Sequence, residues 1–152
     1  MTPMARKPRV FIDADVLFAA AASGSEHGAS LMVLRLGEIT LLDLYTSEQV
    51  IAEVERNLAR KLPAALALFR LLAQKSLQVL PDPAPHQLAA YEGQADPKDL
   101  PILVCALQAE SAWLLTFNTR HFRPAAASIR VAPPGTFIQE IRFLLTVLGT
   151  DP

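Results

Sequence analysis

Short apolar runs alternate with segments of helical periodicity along the chain. The apolar runs predict buried strands at 10–12, 39–45, 77–80, 113–117 and 129–132. Between them, apolar residues recur at helical spacing and predict helices at 16–22, 26–36, 46–62, 63–74, 97–110 and 134–147, with a shorter helix at 86–92. Strands that alternate with helices are typical of a parallel sheet with helices on both faces. We therefore expect an α/β fold.

Capping residues mark several of the predicted helix starts. Asp15 is a candidate N-cap for the first helix, and Thr46 followed by Gln49 has the spacing of a capping box. Asp96 followed by Pro97 predicts an N-cap and a first helical position, which places Asp99 in the first turn. The second helix is expected to end at Gly37.

The composition indicates one soluble domain. The chain has 152 residues, of which 51% are hydrophobic, enough for a full core within a single domain at 9–147 with short tails at 1–8 and 148–152. Its one cysteine, Cys105, excludes an internal disulfide, and we expect it to be a small core residue. No stretch reaches the roughly 18 apolar residues of a membrane span, and no signal-peptide pattern opens the chain. The expected location is the cytoplasm.

Charge gives no general signal for nucleic-acid binding. The net charge is −1 at pH 7, so any such binding requires local basic patches. Each patch is equally typical of a solvated face. The candidates are Arg6, Lys7 and Arg9; Arg56, Arg60 and Lys61; and Arg120, His121 and Arg123.

Acidic side chains follow predicted strands and open predicted helices. Asp13 ends the most apolar strand, where ligands bind in parallel α/β sheets, and burying a carboxylate there is costly without a partner. Oxygen ligands that converge from separate elements are what Mg²⁺ or Mn²⁺ requires. The remaining candidate residues also have a purely structural explanation: each could cap a helix, lie in a first helical turn, lie on a solvated helix face or begin a turn. Those residues are Asp15, Glu53, Asp96, Asp99 and Asn118.

Several common sites lack their sequence markers. The chain has neither the glycine-rich phosphate loop of nucleotide-binding proteins nor the glycine pattern of dinucleotide folds. No Cys/His cluster is present to bind zinc, and no convincing Ser/His/Asp or Cys/His arrangement indicates nucleophilic catalysis. The acidic residues are therefore the candidate chemistry.

Four segments together resemble the PIN domain family. They are FIDADVL, SEQVIAEVERNL, DPKDLPILVCAL and LLTFNTRHF, in the order and at about the intervals of that family. The chain is most similar to its small stand-alone branch of VapC-type toxins, from about residue 9 to 137. The resemblance implies a three-layer α/β/α sandwich with a central parallel sheet, and an acid cluster that binds Mg²⁺ or Mn²⁺ and cleaves RNA.

The resemblance also implies roles for individual residues. The family acids fall on Asp13, Glu53 and Asp99, which would hold the cation. The fourth position, usually aspartate, falls on Asn118, which brings an oxygen ligand but no charge. Three further residues are expected to support the acids: Thr116, Asp15 and Asp96. Two basic residues, Arg120 and His121, are expected to contact phosphates of the RNA backbone.

The expected reaction is hydrolysis of a phosphodiester by a metal-activated water that leaves a 5′-phosphate. The resemblance also implies a small antitoxin protein that covers the acidic groove, and a homodimer. The apolar helical stretch at 66–72 is a candidate surface for that dimer, and burial within one chain explains it equally well.

Two other functions fit the sequence. The Asp13-Ala14-Asp15-Val16 segment resembles the motif of haloacid-dehalogenase-type phosphotransferases, although Thr116 then follows Asp99 in an order that family does not keep. A non-catalytic PIN module that binds RNA or protein is the second, because one family acid is missing.

Overall fold

A five-stranded parallel sheet forms the centre of the molecule in the computed structural model, which describes residues 7–23 and 28–149. Its order is β3-β2-β1-β4-β5, so the first strand is central and the chain crosses over it after β3. Each pair of neighbouring strands is parallel, so all their carboxyl ends lie at one edge. The strands are β1 Arg9–Ile12, β2 Asp43–Ser47, β3 Leu77–Leu80, β4 Trp113–Leu115 and β5 Arg130–Ala132.

Six α-helices flank this sheet within the described residues. Helix α1 packs against α2, α3 and α4, α2 also contacts α6, and α5 packs on β2. The prediction of a three-layer α/β/α fold around a parallel sheet is confirmed. Short 3₁₀ turns cover Pro63–Ala65, Pro85–Gln87, Ala89–Tyr91 and Thr119–His121. The helices are α1 Ala14–Ala22, α2 Ala29–Glu38, α3 Glu48–Lys61, α4 Leu66–Ser76, α5 Leu100–Gln108 and α6 Pro134–Gly149.

The capping box predicted at Thr46 is wrong. Thr46 belongs to β2, and its hydroxyl donates a hydrogen bond of 2.8 Å to the carbonyl oxygen of Ile12 at the end of β1. Ser47 is the N-cap of α3 instead, accepting from the N–H of Val50. The cross-strand bond at Thr46 therefore fixes the ends of β1 and β2 to each other.

The second helix differs from its prediction at both ends. The predicted start at Glu26 lies outside the described residues, as do Arg6 and His27, and α2 is described from Ala29. Its other end lies beyond Gly37, at Glu38, and Thr40 then takes a positive φ of 65°. A left-handed residue after a helix reverses the chain direction, so β2 begins at Asp43 and not at 39.

The core lies on both faces of β1 and β4. Phe11, Leu103 and Leu114 are fully buried, and Cys105 is a core residue as expected, with burial raising the pKa of its thiol to about 11. In the stretch 66–72, Phe69 and Leu72 are buried within the chain while Leu68 and Leu71 are about half exposed. Among the described residues, no helix is long and apolar enough to cross a membrane.

Candidate functional site

Asp13 lies where β1 ends and α1 begins. Its backbone N–H donates to the carbonyl oxygen of Leu115 at 3.0 Å, and its side chain is the N-cap of α1. One carboxylate oxygen, Oδ1, accepts from the N–H of Ala14 at 2.7 Å, and Oδ2 accepts from the hydroxyl of Thr116 at 2.8 Å. The residue is only 6% exposed. The carboxylate is therefore held in one orientation between β1 and β4.

Asp15 binds the segment that follows β4. Its Oδ2 accepts from the N–H of Phe117 at 2.9 Å, from Nδ2 of Asn118 at 3.2 Å and more distantly from Thr116. Its Oδ1 is buried and has no hydrogen-bond partner among the residues that the structure describes. Asp15 was expected as the helix cap, but Asp13 has that position because α1 begins at Ala14. The side chain of Asp15 is thereby left to bind the β4 segment.

The two carboxyl groups are difficult to ionise together. Burial, together with repulsion from Asp15 and more weakly from Asp99, raises the pKa of Asp13 to about 7 against the opposing hydrogen bonds from Thr116 and Ala14. Burial also raises the pKa of Asp15, although the hydrogen bonds from 116–118 oppose this. A pair of acids held at such a cost is typical of a functional site. A bound cation would remove the repulsion.

A second acidic cluster lies at the start of α5. The N-cap position belongs to Asp99, whose side chain makes no capping bond and instead meets Nδ1 of His121 at 3.1 Å. Asp96 does not cap the helix as predicted, because 97–99 form a turn before it. Its Oδ1 accepts from the guanidinium of Arg123 at 3.1 Å, and its Oδ2 is 3.8 Å from His121.

Asp99 connects this cluster with the first one. Its charge is one of those that raise the pKa of Asp13, so the structure brings Asp13, Asp15 and Asp99 to one end of the sheet. The side chain of Asp99 is only 13% exposed. Thr116 also belongs to this group, since its hydroxyl accepts from the N–H of Asn118 while donating to Asp13.

The other predicted residues have weaker connections. Glu53 is half-buried in the second turn of α3 and makes no hydrogen bond or ion pair with the described residues. Arg120 is exposed on the 3₁₀ turn after Asn118. His121 was expected to contact phosphate, but it lies against Asp99 and Asp96.

The donor set fits a divalent cation. The buried Oδ1 of Asp15 lacks a partner, and one ligand atom from each of Asp96, Asp99 and His121 lies within 4.8 Å of the others. Carboxylate oxygens with one imidazole nitrogen suit Mg²⁺ less well than Mn²⁺, which accepts both ligand types.

Two residues near the acids were missed as site residues. Arg123 was identified only as a surface charge, although it holds Asp96. Phe117 was predicted as the last residue of a buried strand, but β4 ends at Leu115 and Phe117 is half exposed beside Asp15. An apolar residue that is exposed between two site residues leaves no periodicity signal, so only the three-dimensional structure reveals it.

Comparison with known proteins gives a consistent result. A family model of the PIN domain matches residues 9–120. The fold is similar to that of Mycobacterium tuberculosis VapC20, a toxin that cleaves the sarcin–ricin loop, with 16% identity, a TM-score of 0.54 and coverage of 72% of this chain and 89% of that one. It is also similar to VapBC2 from Rickettsia felis bound to a promoter DNA fragment, with 15% identity and a TM-score of 0.61. The match covers 81% of this chain and 96% of that one. No curated protein matches by sequence.

Proposed function

The chain belongs to the PIN domain family, and from this we propose that it is a metal-dependent endoribonuclease that hydrolyses RNA phosphodiester bonds. The observation that supports the proposal most directly is the pairing of buried Asp13 with half-buried Asp15, with Asp99 near enough to contribute to the raised pKa of Asp13. Carboxylates without a positively charged partner, at the carboxyl ends of parallel strands, are suited to bind a cation that in turn contacts a phosphate.

The residues have separate roles in this proposal. Asp13 and Asp99 hold Mg²⁺ or Mn²⁺, Asp15 supplies its unpartnered oxygen, and Glu53 acts directly or through water. A cation held by these residues would supply activation of a water for attack on phosphorus and would offset charge on the phosphate oxygens.

Neutral and basic residues then hold these acids and the RNA. Thr116 favours the ionised form of Asp13 by donating to its Oδ2, and His121 orients Asp99 through the 3.1 Å contact. Asn118 donates to Asp15 through Nδ2, so the family's fourth acid is replaced here by a group that fixes its neighbour. Exposed Arg120 is placed to contact the RNA backbone, which adds affinity but no sequence choice.

The proposed biological role is that of a toxin held inactive by a small antitoxin protein. VapC20 is a toxin, and the Rickettsia complex contains a VapBC pair, which support this role by likeness of fold. A positively charged side chain from the antitoxin would offset the repulsion between Asp13 and Asp15 in the way that a cation does. The homodimer and the cytoplasmic location stay predictions, with the exposed Leu68 and Leu71 available for a contact between copies.

Cleavage of a mixed structured RNA tests the proposal. The purified protein is incubated with Mn²⁺, Mg²⁺ or EDTA beside Asp13→Asn and Asp99→Asn, with Glu92→Gln as a matched exposed-acid control. We expect Mn²⁺- or Mg²⁺-dependent cutting by the wild type and the control only, with 5′-phosphate products. Equal cutting by Asp13→Asn would refute the proposed site. If no protein cuts and calorimetry shows no Mn²⁺ binding, the chain is a non-catalytic PIN module.

A further inference from the structure

An exposed aromatic ring lies between the residues that hold Asp13 and Asp15. Phe117 is 51% exposed, although Thr116 before it is fully buried. Thr116 donates to Asp13, Asn118 donates to Asp15, and the N–H of Phe117 itself donates to Asp15 at 2.9 Å. The backbone that carries the ring is therefore fixed relative to the acids.

The ring of Phe117 also lines an uncharged cavity of about 530 Å³. The other walls come from Ala19 and Ala22 of α1, Leu31 of α2, and Pro133 and Gly135 at the start of α6. None of the described residues that line it carries a charge. The α6 wall is tied to the acids, because the N–H of Thr116 donates to the carbonyl oxygen of Ala132 at 3.1 Å.

We propose that Phe117 stacks on an unpaired base of the substrate, next to the phosphodiester held at Asp13 and Asp15. The inference rests on the proposed RNA substrate and narrows it to single-stranded or looped RNA. When a phosphate lies at the acids, the base of the adjoining nucleotide lies close to residue 117. A flat, neutral base is suited to stack on an aromatic ring in a cavity whose described lining residues are uncharged. A base within a duplex is stacked on its neighbours and does not reach the ring.

The arrangement separates the two parts of a nucleotide by chemistry. The charged groups on one side of residue 117 meet the phosphate with its cation, and the apolar cavity on the other side meets the base. Because every base has an aromatic face, stacking on Phe117 selects unpaired nucleotides without selecting a sequence.

Binding of short labelled RNA, measured by fluorescence anisotropy, tests the inference. The Asp13→Asn protein serves as the parent so that the RNA is not cut, and oligoadenylate is compared with a blunt-ended RNA duplex that has no unpaired bases. In this parent, Phe117→Ala is expected to weaken oligoadenylate binding by roughly 5- to 100-fold, the range for loss of one stacking partner. Phe117→Tyr is expected to restore binding, and duplex binding is expected to change little.

Two further variants keep the result interpretable. Phe143→Ala removes another exposed ring, which is 67% exposed on α6 and lines a different cavity, and it is expected to leave binding unchanged. Gly135→Met extends a side chain from a position where an added Cβ meets nothing within 4 Å, and it is expected to weaken oligoadenylate binding by filling the cavity. If Phe117→Ala fails to fold, Gly135→Met decides the question.

Unchanged oligoadenylate binding by Phe117→Ala would overturn the inference, and so would an equal loss for duplex and single strand. The first result would show that the ring takes no part in RNA binding. Failure of the proposed function is distinguishable, because it appears as absent cleavage by the wild type while Phe117-dependent RNA binding persists.

Discussion

Replacement of Asp13 by asparagine is expected to stabilise the metal-free protein above neutral pH. Asparagine keeps the acceptor that caps α1 through the N–H of Ala14, and its amide nitrogen faces the hydroxyl oxygen of Thr116, which accepts in place of donating. The side chain has nearly the same shape, so the packing around a residue that is 6% exposed is preserved. The substitution removes the charge and its repulsion with Asp15 and Asp99.

The size of the effect follows from the pKa of Asp13. Burial, with repulsion from Asp15, raises this pKa from an ordinary 3.8 to about 7 in the folded protein. Between these values the folded state binds more protons than the unfolded state, so the stability of the wild type falls as the pH rises through this window. At about 1.4 kcal/mol for each factor of ten in the protonation equilibrium, the full loss is on the order of 4 kcal/mol.

Urea unfolding in EDTA measures the difference. Near pH 5 only the lower part of this window has been crossed, so we expect Asp13→Asn to gain roughly 1 to 2 kcal/mol in free energy of unfolding, whereas at about pH 8 it is expected to gain the full amount of about 4 kcal/mol. Glu92→Gln, which neutralises an exposed carboxylate, is expected to show no such pH-dependent gain. A variant that is less stable than the wild type at the higher pH, or that gains equally at both, would refute the reasoning.

Two other substitutions test separate parts of the structure. Thr116→Val removes the 2.8 Å hydrogen bond to Asp13 and is expected to raise the pKa of that carboxyl by about one to two units, since hydrogen bonds to charged groups contribute roughly 1.5–3 kcal/mol. An NMR titration of the Asp13 carboxyl carbon measures this pKa, and an unchanged midpoint would contradict the role assigned to Thr116. Gly37→Ala places a Cβ against Cδ1 of Leu44 and 2.7 Å from its Cγ, so we expect the free energy of unfolding, measured in urea, to fall by about 1–3 kcal/mol. Gly135→Ala serves as the control, because an added Cβ there has open space around it.

The order and type of the elements were predictable because each strand is a short apolar run between helical patterns. The limits of β3 agree with its prediction, and the long amphipathic stripe of α3 was recognised correctly. The errors occur where a tertiary contact decides between alternatives. Thr46 has the sequence of a cap but bonds to Ile12 across the sheet, and the exposed Ile39 and Leu41 belong to a turn at Thr40 and not to a strand.

The candidate site was predictable only in its acids. Asp13 is conspicuous because it ends the most buried strand, and its burial is as expected. The contact of Asp99 with His121 was not predictable, because the two residues are 22 positions apart and each has a simpler surface interpretation. Spacing also suggested a cap at Asp96, whereas its actual partner, Arg123, is 27 positions away.

The bond between Thr116 and Asp13 joins residues 103 positions apart in the chain. During synthesis the first aspartate leaves the ribosome long before the hydroxyl that orients it has been translated. The central strand β1 must also wait for β4, which pairs along one whole side of it. An incomplete chain therefore holds Asp13 and Asp15 without the segment 116–118 that fixes them, and the acidic site is assembled only when synthesis is nearly finished.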